Sequence, residues 1–286
     1  MAGSIFRGLF DDASLFPPAS LAMADAVAGH LRHKASWYHG MSGHFVCADE
    51  KLTQLSAALT AANVAELDLA LVLPGGADSL ETATDAVFGE PRLRLRAIEV
   101  PIAKSDEPAG SAAAVAKLAS RLDDTPLAGA TAFIEIPASQ LDSDALKVAA
   151  EHRYLAKLRT GGVTAETFPD EQTLARCLVA LAQQRLAFKC TAGLHHAVRH
   201  RAEDTGFEHH GFLNVLLALT AALDGAEVTG VAIVLADSDP GRVAAAISAL
   251  TPDAAAEARS LFTSFGTCST DEPVTDLVTL GLVTKG

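Results

Sequence analysis

The chain has 286 residues, of which 49% are hydrophobic and 20% charged, and its 22 Lys plus Arg face 35 Asp plus Glu for a formal net charge of -13. This composition excludes disorder and collagen-like structure, and a chain this long buries roughly three quarters of the surface it exposes unfolded, so it needs neither disulfides nor a structural metal. The acidic balance repels phosphate backbones and anionic lipid, which argues against nucleic acid and membrane surfaces as partners.

Short apolar runs alternate with segments of helical period along the whole chain, the pattern of repeated βα units. Strands are expected over Ile5–Phe10, Gly43–Ala48, Leu67–Leu73, Leu93–Val100, Ala132–Ile136, Tyr154–Leu158, Ala187–Thr191 and Leu261–Cys268. Apolar residues three and four apart predict helices over Ser20–His33, Leu52–Ala62, Ser79–Val87, Ser111–Leu122, Asp142–His152 and Glu171–Arg185. Ser79 with Glu81 behind it, and Ser143 leading into Asp144 and Ala145, read as capped starts.

A long insertion, about residues 194–260, separates the seventh and eighth strands. Within it Phe212–Leu223 reads as a buried helix, and EVTGVAIVLAD as either a ninth strand or a helix lining the barrel. EPVTDLVTLGL closes the chain as a helix with Pro273 in its first turn. No Ser-, Pro- or Gly-rich linker divides the sequence, so residues 1–286 are expected to form one α/β domain, a TIM (β/α)8 barrel. A doubly wound open sheet is the alternative.

Cys47, Cys177, Cys190 and Cys268 are scattered, with no C-x-x-C pair, and are expected to be free thiols in a reducing compartment. The opening MAGSIFRGLFDDASLF lacks the basic, apolar, small-residue order of a signal peptide, and no run approaches 18 apolar residues, which together predict a cytoplasmic protein.

Catalytic groups of a barrel lie at the C-terminal strand ends and in the loops that follow. Polar residues concentrate there in YLAKLRTGG, with Lys157, Arg159, Thr160, Gly161 and Gly162, and in AFKCTAGLHH, with Lys189, Thr191, Gly193, His195 and His196. Lys is rarely buried unless paired or functional, and strand alternation lets both lysines project into the barrel together. A desolvated Lys beside a second cation has a depressed pKa and supplies the free amine for Schiff-base chemistry. The alternative is a structural ion pair with a carboxylate such as Glu135 or Glu99.

AKLRTGGVTAETFPDEQTLARC followed by LAFKCTAGLHHAVR resembles the sixth and seventh strands of deoxyribose-phosphate aldolase, a class I aldolase with an α/β barrel. The resemblance implies that Lys157, in the K-x-x-T-G pattern with Thr160 and Gly161, is the Schiff-base lysine. It also implies that Lys189, behind Phe188 and ahead of Gly193, assists proton transfer. AFIEIPASQLDSDAL is similar to the family's fifth strand, with Glu135 at its acidic position, and SFGTCST to its eighth, with Gly266 and Ser269 where substrate phosphate is held. The likeness begins at about Thr131 and leaves the long insertion unmatched. In place of the family's strand-four Asp the chain has LRLRAIEVP, which offers Glu99. Asp68 in ELDLALV has the local aldolase pattern but falls on the third strand. Leu194, followed by His195 and His196, replaces the second Gly of the phosphate turn, which argues against a phosphorylated deoxyribose. Arg159 would then fork onto a substrate carboxylate.

His195, His209 or His210 with Asp11 or Asp12 offer an alternative divalent metal site. Adjacent residues in extended chain face opposite ways, so each His-His pair supplies one ligand. Asp12, in FDDASLFPP at the end of the first strand, is taken as a substrate contact, although an Asp there also forms turns. His30, His33 and His39 read as solvated, and Gly75-Gly76 as a tight turn.

Three functions follow. The first is a Schiff-base lyase acting on a small, anionic carbonyl substrate without a cofactor, with Lys157, Lys189, Glu135 and Glu99 catalytic. In it Arg159, Thr160, Gly161, Thr191, Gly193, His195, His196, Gly266, Ser269 and Asp12 bind substrate. The second is a metal-dependent lyase, isomerase or hydrolase, and the third a non-catalytic barrel that binds a small anion. A homodimer is the default assembly.

Overall fold

The computed structural model describes residues 5–102, 108–141, 143–203 and 205–285. The first half contains β1 (Phe10–Asp12), α1 (Met23–Ala35), β2 (Ser42–Ala48), α2 (Leu52–Ala61), β3 (Leu67–Val72), α3 (Leu80–Phe88), β4 (Leu93–Pro101), α4 (Pro108–Asp123) and β5 (Thr131–Glu135). The second continues with α5 (Ser143–Glu151), β6 (Leu155–Arg159), α6 (Glu171–Gln184), β7 (Phe188–Thr191) and a small ribbon of β8 (His200–Arg201) and β9 (Glu208–His209). Then come α7 (Phe212–Leu223), α8 (Val228–Ala236), α9 (Pro240–Ala249), α10 (Pro252–Leu261), β10 (Phe262–Thr267) and α11 (Asp271–Thr279).

Eight parallel strands close into a barrel in the order β1-β10-β7-β6-β5-β4-β3-β2. Closure rules out the open doubly wound sheet, and the fold is the expected single α/β TIM barrel. Both strand faces are buried, which is why the strands read as near-continuous apolar runs. Their outward residues, among them Phe45, Leu71, Ile134, Leu158 and Phe265, pack beneath the helices in one large core. The inward residues Val46, Ala70, Val72, Ala97 and Phe133 form a second, smaller cluster inside the barrel. That cluster fills only part of the interior. Polar and charged side chains from β1, β4, β5, β6, β7 and β10 occupy the rest.

Several local expectations change. The first strand is Phe10–Asp12, not Ile5–Phe10, because Gly8 turns the chain at φ +58°. Phe6 and Leu9 still bury their side chains in the outer core, so their hydrophobicity imitates a strand. Asp142, the expected start of α5, lies outside the described residues. Ser79 stands at the N-cap of α3 without a side-chain bond, whereas Asp170 caps α6 by accepting from the Thr173 N–H.

The insertion supplies outer helices. EVTGVAIVLAD forms α8, which packs on α6 and α7 outside the barrel and does not line it. Its position is fixed by fully buried Asn214, whose amide donates to the Val234 and Asp237 carbonyls at the end of α8 while its oxygen accepts from the Arg199 N–H. Phe212, the first residue of α7, meets Phe10 and Phe265 at ring-centroid distances of 5.7 and 5.1 Å. Such pairs each contribute about 0.5–1.5 kcal/mol beyond burial, and here they anchor the insertion to β1 and β10. No described helix is long and apolar enough to cross a membrane.

Candidate active site

Side-chain alternation carries Asp11, Glu99, Glu135, Lys157 and Lys189 into the barrel. Parallel pairing sets Glu135 beside Lys157 and Lys157 beside Lys189. From there the contacts form a continuous string. Lys189 Nζ donates to Asp11 Oδ2 at 2.6 Å and to Glu99 Oε1 at 2.5 Å. The second Glu99 oxygen, Oε2, is 2.7 Å from Lys157 Nζ, which is also 2.9 Å from Glu135 Oε2. Arg159 ends the string toward the C-terminal strand ends, its Nε 3.3 Å from Glu135 Oε1. At the other end Ser264 donates to Asp11 Oδ2, and the His44 N–H donates to Asp11 Oδ1.

Burial is graded along this string. Lys189 and Glu99 are 1% exposed, Lys157 is 4% exposed, and the Arg159 side chain is 48% exposed. The unaccompanied cost of burying these charges is several kcal/mol per ion, so each must be met by partners. Burial alone would raise the Asp11, Glu99 and Glu135 carboxyls. Lys189 and His44 outweigh it at Asp11, Lys157 and Lys189 at Glu99, and Lys157 and Arg159 at Glu135, so all three lie below their usual range. Burial likewise pulls Lys189 down, yet Asp11 and Glu99 overcome it and hold the ammonium above its usual range. The expectation that two neighbouring cations depress each other therefore fails for Lys189, since a carboxylate stands between the amines.

The neighbouring strand ends are held by close backbone packing. Gly193 has φ +77°, and a Cβ there would fall 2.8 Å from the Thr160 carbonyl oxygen; one on Gly161 would fall 2.8 Å from the Gly193 Cα. Thr160 is fully buried and its hydroxyl donates to the Ala192 carbonyl at 2.5 Å, so it ties β6 to the loop after β7. Thr191 lies level with Arg159 and Gly266 across the sheet. Ser269 follows β10, its N–H and carbonyl both bonded to the Thr267 hydroxyl. His195 and His196 leave the barrel for α11, pairing with Glu272 at 3.1 Å and Asp276 at 3.0 Å.

Asp12 requires correction as a substrate contact. It faces the opposite way from Asp11, accepting from the Ser14 N–H and lying 3.1 Å from His30 Nδ1. His30, expected in solvent, is only 3% exposed. His33 is also partly buried, 2.8 Å from the Tyr38 hydroxyl. Asp68 pairs with Arg96 away from the lysines. Ser264 carries no signal in the sequence, His44 stands at the start of the second strand with no role assigned to it, and Asp11 is offered by the sequence only as a metal ligand. Once Phe10 faces outward, alternation alone puts Asp11 inside.

The expected metal ligands do not converge. Among the described residues no group of three or more His, Cys, Asp or Glu is arranged to hold an ion, and His210 Nε2 is engaged by the Pro169 carbonyl at 2.7 Å. A cleft of about 650 Å³ lies away from the string, between the β8 segment and α11, with His196, His200, Arg201 and Asp276 in its walls. Comparison with protein-family models and with curated proteins finds no match for this chain.

Proposed function

We propose that this barrel is a class I, Schiff-base lyase acting on a small carbonyl substrate, with Lys157 as the nucleophile. The observation that carries this reading is the position of Glu99, one buried carboxylate whose two oxygens each meet a different lysine. Transfer of a proton from Lys157 to a carboxylate so placed leaves the net charge of the pair unchanged, and Lys189 on the other oxygen keeps that carboxylate aimed at Lys157.

In this reading Glu99 takes a proton from the Lys157 ammonium. The freed lone pair forms a C–N bond to the substrate carbonyl carbon, and the C=O π pair moves to oxygen, which takes the proton that Glu99 has just received. The proton shed by the bound nitrogen passes through Glu99 to that oxygen, water leaves, and a protonated C=N bond remains. On cleavage the electrons of the bond between the α and β carbons form a C=C bond to the former carbonyl carbon while the C=N π pair moves to nitrogen; protonation of the α carbon and hydrolysis by water then free Lys157. The base that removes the proton from the departing hydroxyl is Glu135, at the more open end of the string. Lys189, itself held by Asp11, keeps Glu99 aimed at Lys157, and half-exposed Arg159 holds an anionic group on the substrate. The chemistry requires no cofactor.

Borohydride trapping with a panel of small aldehydes and oxo acids tests this assignment. Intact mass and peptide mapping are expected to find an adduct on Lys157 that is absent from Lys157→Ala and formed more slowly in Lys189→Ala. An adduct on Lys189 would reassign the nucleophile. No adduct with any carbonyl would leave the string as a structural or anion-binding device.

A further inference from the structure

Near their C-terminal ends three neighbouring strands each turn two alternate positions into the barrel. The lower positions, Lys157 on β6, Lys189 on β7 and Ser264 on β10, stand level with one another and are bound into the string of charges. Two residues further on, Arg159, Thr191 and Gly266 are level again. This upper row faces the mouth, into which a substrate joined to Lys157 extends.

The upper row joins a cation to a free hydroxyl and an open space. Thr191 is half-buried, and its hydroxyl makes no hydrogen bond among the described residues. Gly266 has no side chain, and one started there would find only Ala13 Cβ, at 3.6 Å, and the Thr191 hydroxyl oxygen, at 3.7 Å, within 4 Å. Thr191 stands diagonally across from Lys157 on the same face, roughly 7–8 Å away between backbones, a gap that a short carbon chain held at Lys157 spans. The nearby polar groups are engaged elsewhere. Thr160 donates to the Ala192 carbonyl and Thr267 to the Ser269 carbonyl. Burial works against a charge on His195, but Cys268 and Glu272 outweigh it and raise the ring to about 9, in contacts that turn it toward α11. A half-buried hydroxyl beside an open space favours a ligand that can hydrogen-bond to it and disfavours the analogue that cannot.

We propose that Thr191 and Gly266 form the subsite that selects the substrate, and that the class they select is a hydroxylated carbonyl compound, a hydroxyaldehyde or hydroxyketone. Thr191 shares a hydrogen bond with a substrate hydroxyl, and the missing side chain of Gly266 makes room for the carbon that carries it. The inference rests on Lys157 as the residue that holds the carbonyl carbon.

The test compares glyceraldehyde with propanal, which have the same number of carbons and differ only in hydroxyl groups. The readout is the concentration of free, unhydrated aldehyde that gives half-maximal borohydride trapping on Lys157. The wild type is expected to prefer glyceraldehyde at least about tenfold. Thr191→Val, nearly the same shape without the hydroxyl, is expected to reduce that preference about tenfold, and Thr191→Ser to keep it within about twofold. Gly266→Ala, whose added methyl meets no atom closer than 3.6 Å, is expected to reduce the preference for glyceraldehyde over acetaldehyde about fivefold. A wild type that takes propanal as readily as glyceraldehyde overturns the inference, and so does an undiminished preference in Thr191→Val with native circular dichroism. In both cases an adduct on Lys157 leaves the nucleophile assignment standing. If no aldehyde is trapped, the Lys157 assignment fails, and ligand-observed NMR with the same aldehydes and variants decides the subsite: a preference lost in Thr191→Val supports it, and equal binding overturns it.

Discussion

Glu99 illustrates how much one side chain is asked to do. It has lost almost all contact with water, and its two ammonium partners replace that hydration. Removing one partner of a buried pair costs far more than removing an exposed one, because the charge left behind has nowhere to go. Lys189→Met, which strands both Asp11 and Glu99, is expected to cost about 3–5 kcal/mol in urea unfolding. Arg159→Ala, at the exposed end of the same string, is expected to cost about 0–1 kcal/mol. Equal losses would show that burial is not what sets these energies. His195 gives a pH-dependent counterpart. Its folded value is raised from 6.5 to about 9, so its contribution is complete below pH 6.5 and disappears as pH rises through 9. The urea midpoint should fall across this window in the wild type and lose that component in His195→Gln.

At the level of the elements, β6 and β7 and their following loops act as one piece. Gly161 meets Gly193 backbone to backbone, and Thr160 binds across to the Ala192 carbonyl. This contact admits no extra methyl group. Gly193→Ala is expected to destabilise by about 1–3 kcal/mol from the positive φ and the overlap with Thr160. Gly266→Ala meets its nearest atoms only at 3.6 and 3.7 Å and should stay within about 0.5 kcal/mol of wild type. Thermal melts of both variants make the comparison. Elements of this kind were unevenly legible in the sequence. The K-x-x-T-G and F-K-x-x-x-G segments marked the right strands, since a Lys in an apolar run is conspicuous. VTGVAIVLA was ambiguous because a nine-residue, mostly apolar run rich in β-branched residues fits a short buried helix as well as a strand. What decides for the helix is packing on α6 and α7 and the Asn214 bonds at its end, neither of which is local.

For the molecule as a whole, alternation of strand and helix was enough to read a parallel α/β fold with a barrel as first choice, because burial on both strand faces leaves a repeating apolar trace, while closure of the sheet is set by the β1–β10 pairing. The site was legible only in part. Lys157, Lys189, Glu99 and Glu135 stood out as charges within such traces, whereas Asp11 and His44 come from short or mixed segments whose facing depends on where each strand begins. His30 was misread because an amphipathic helix gives no sign that a buried carboxylate waits behind it. The interior charges also shape the response to acid. Asp11 is lowered from 3.8, and Glu99 and Glu135 from 4.5, so their stabilisation is present above these values and is lost as pH falls through the depressed ones. Acid unfolding should steepen below about pH 4, and Glu99→Gln should flatten that limb when followed by circular dichroism.

The shared carboxylate has a mechanical counterpart. Glu99 behaves as a balance beam with one lysine on each arm: whatever weakens its hold on Lys157 leaves more of its charge for Lys189, and the reverse. Covalent capture of Lys157 would thus be registered on the next strand as a tighter Lys189 contact, with no displacement of the backbone. A ¹⁵N label on Lys189 Nζ would report chemistry occurring on its neighbour.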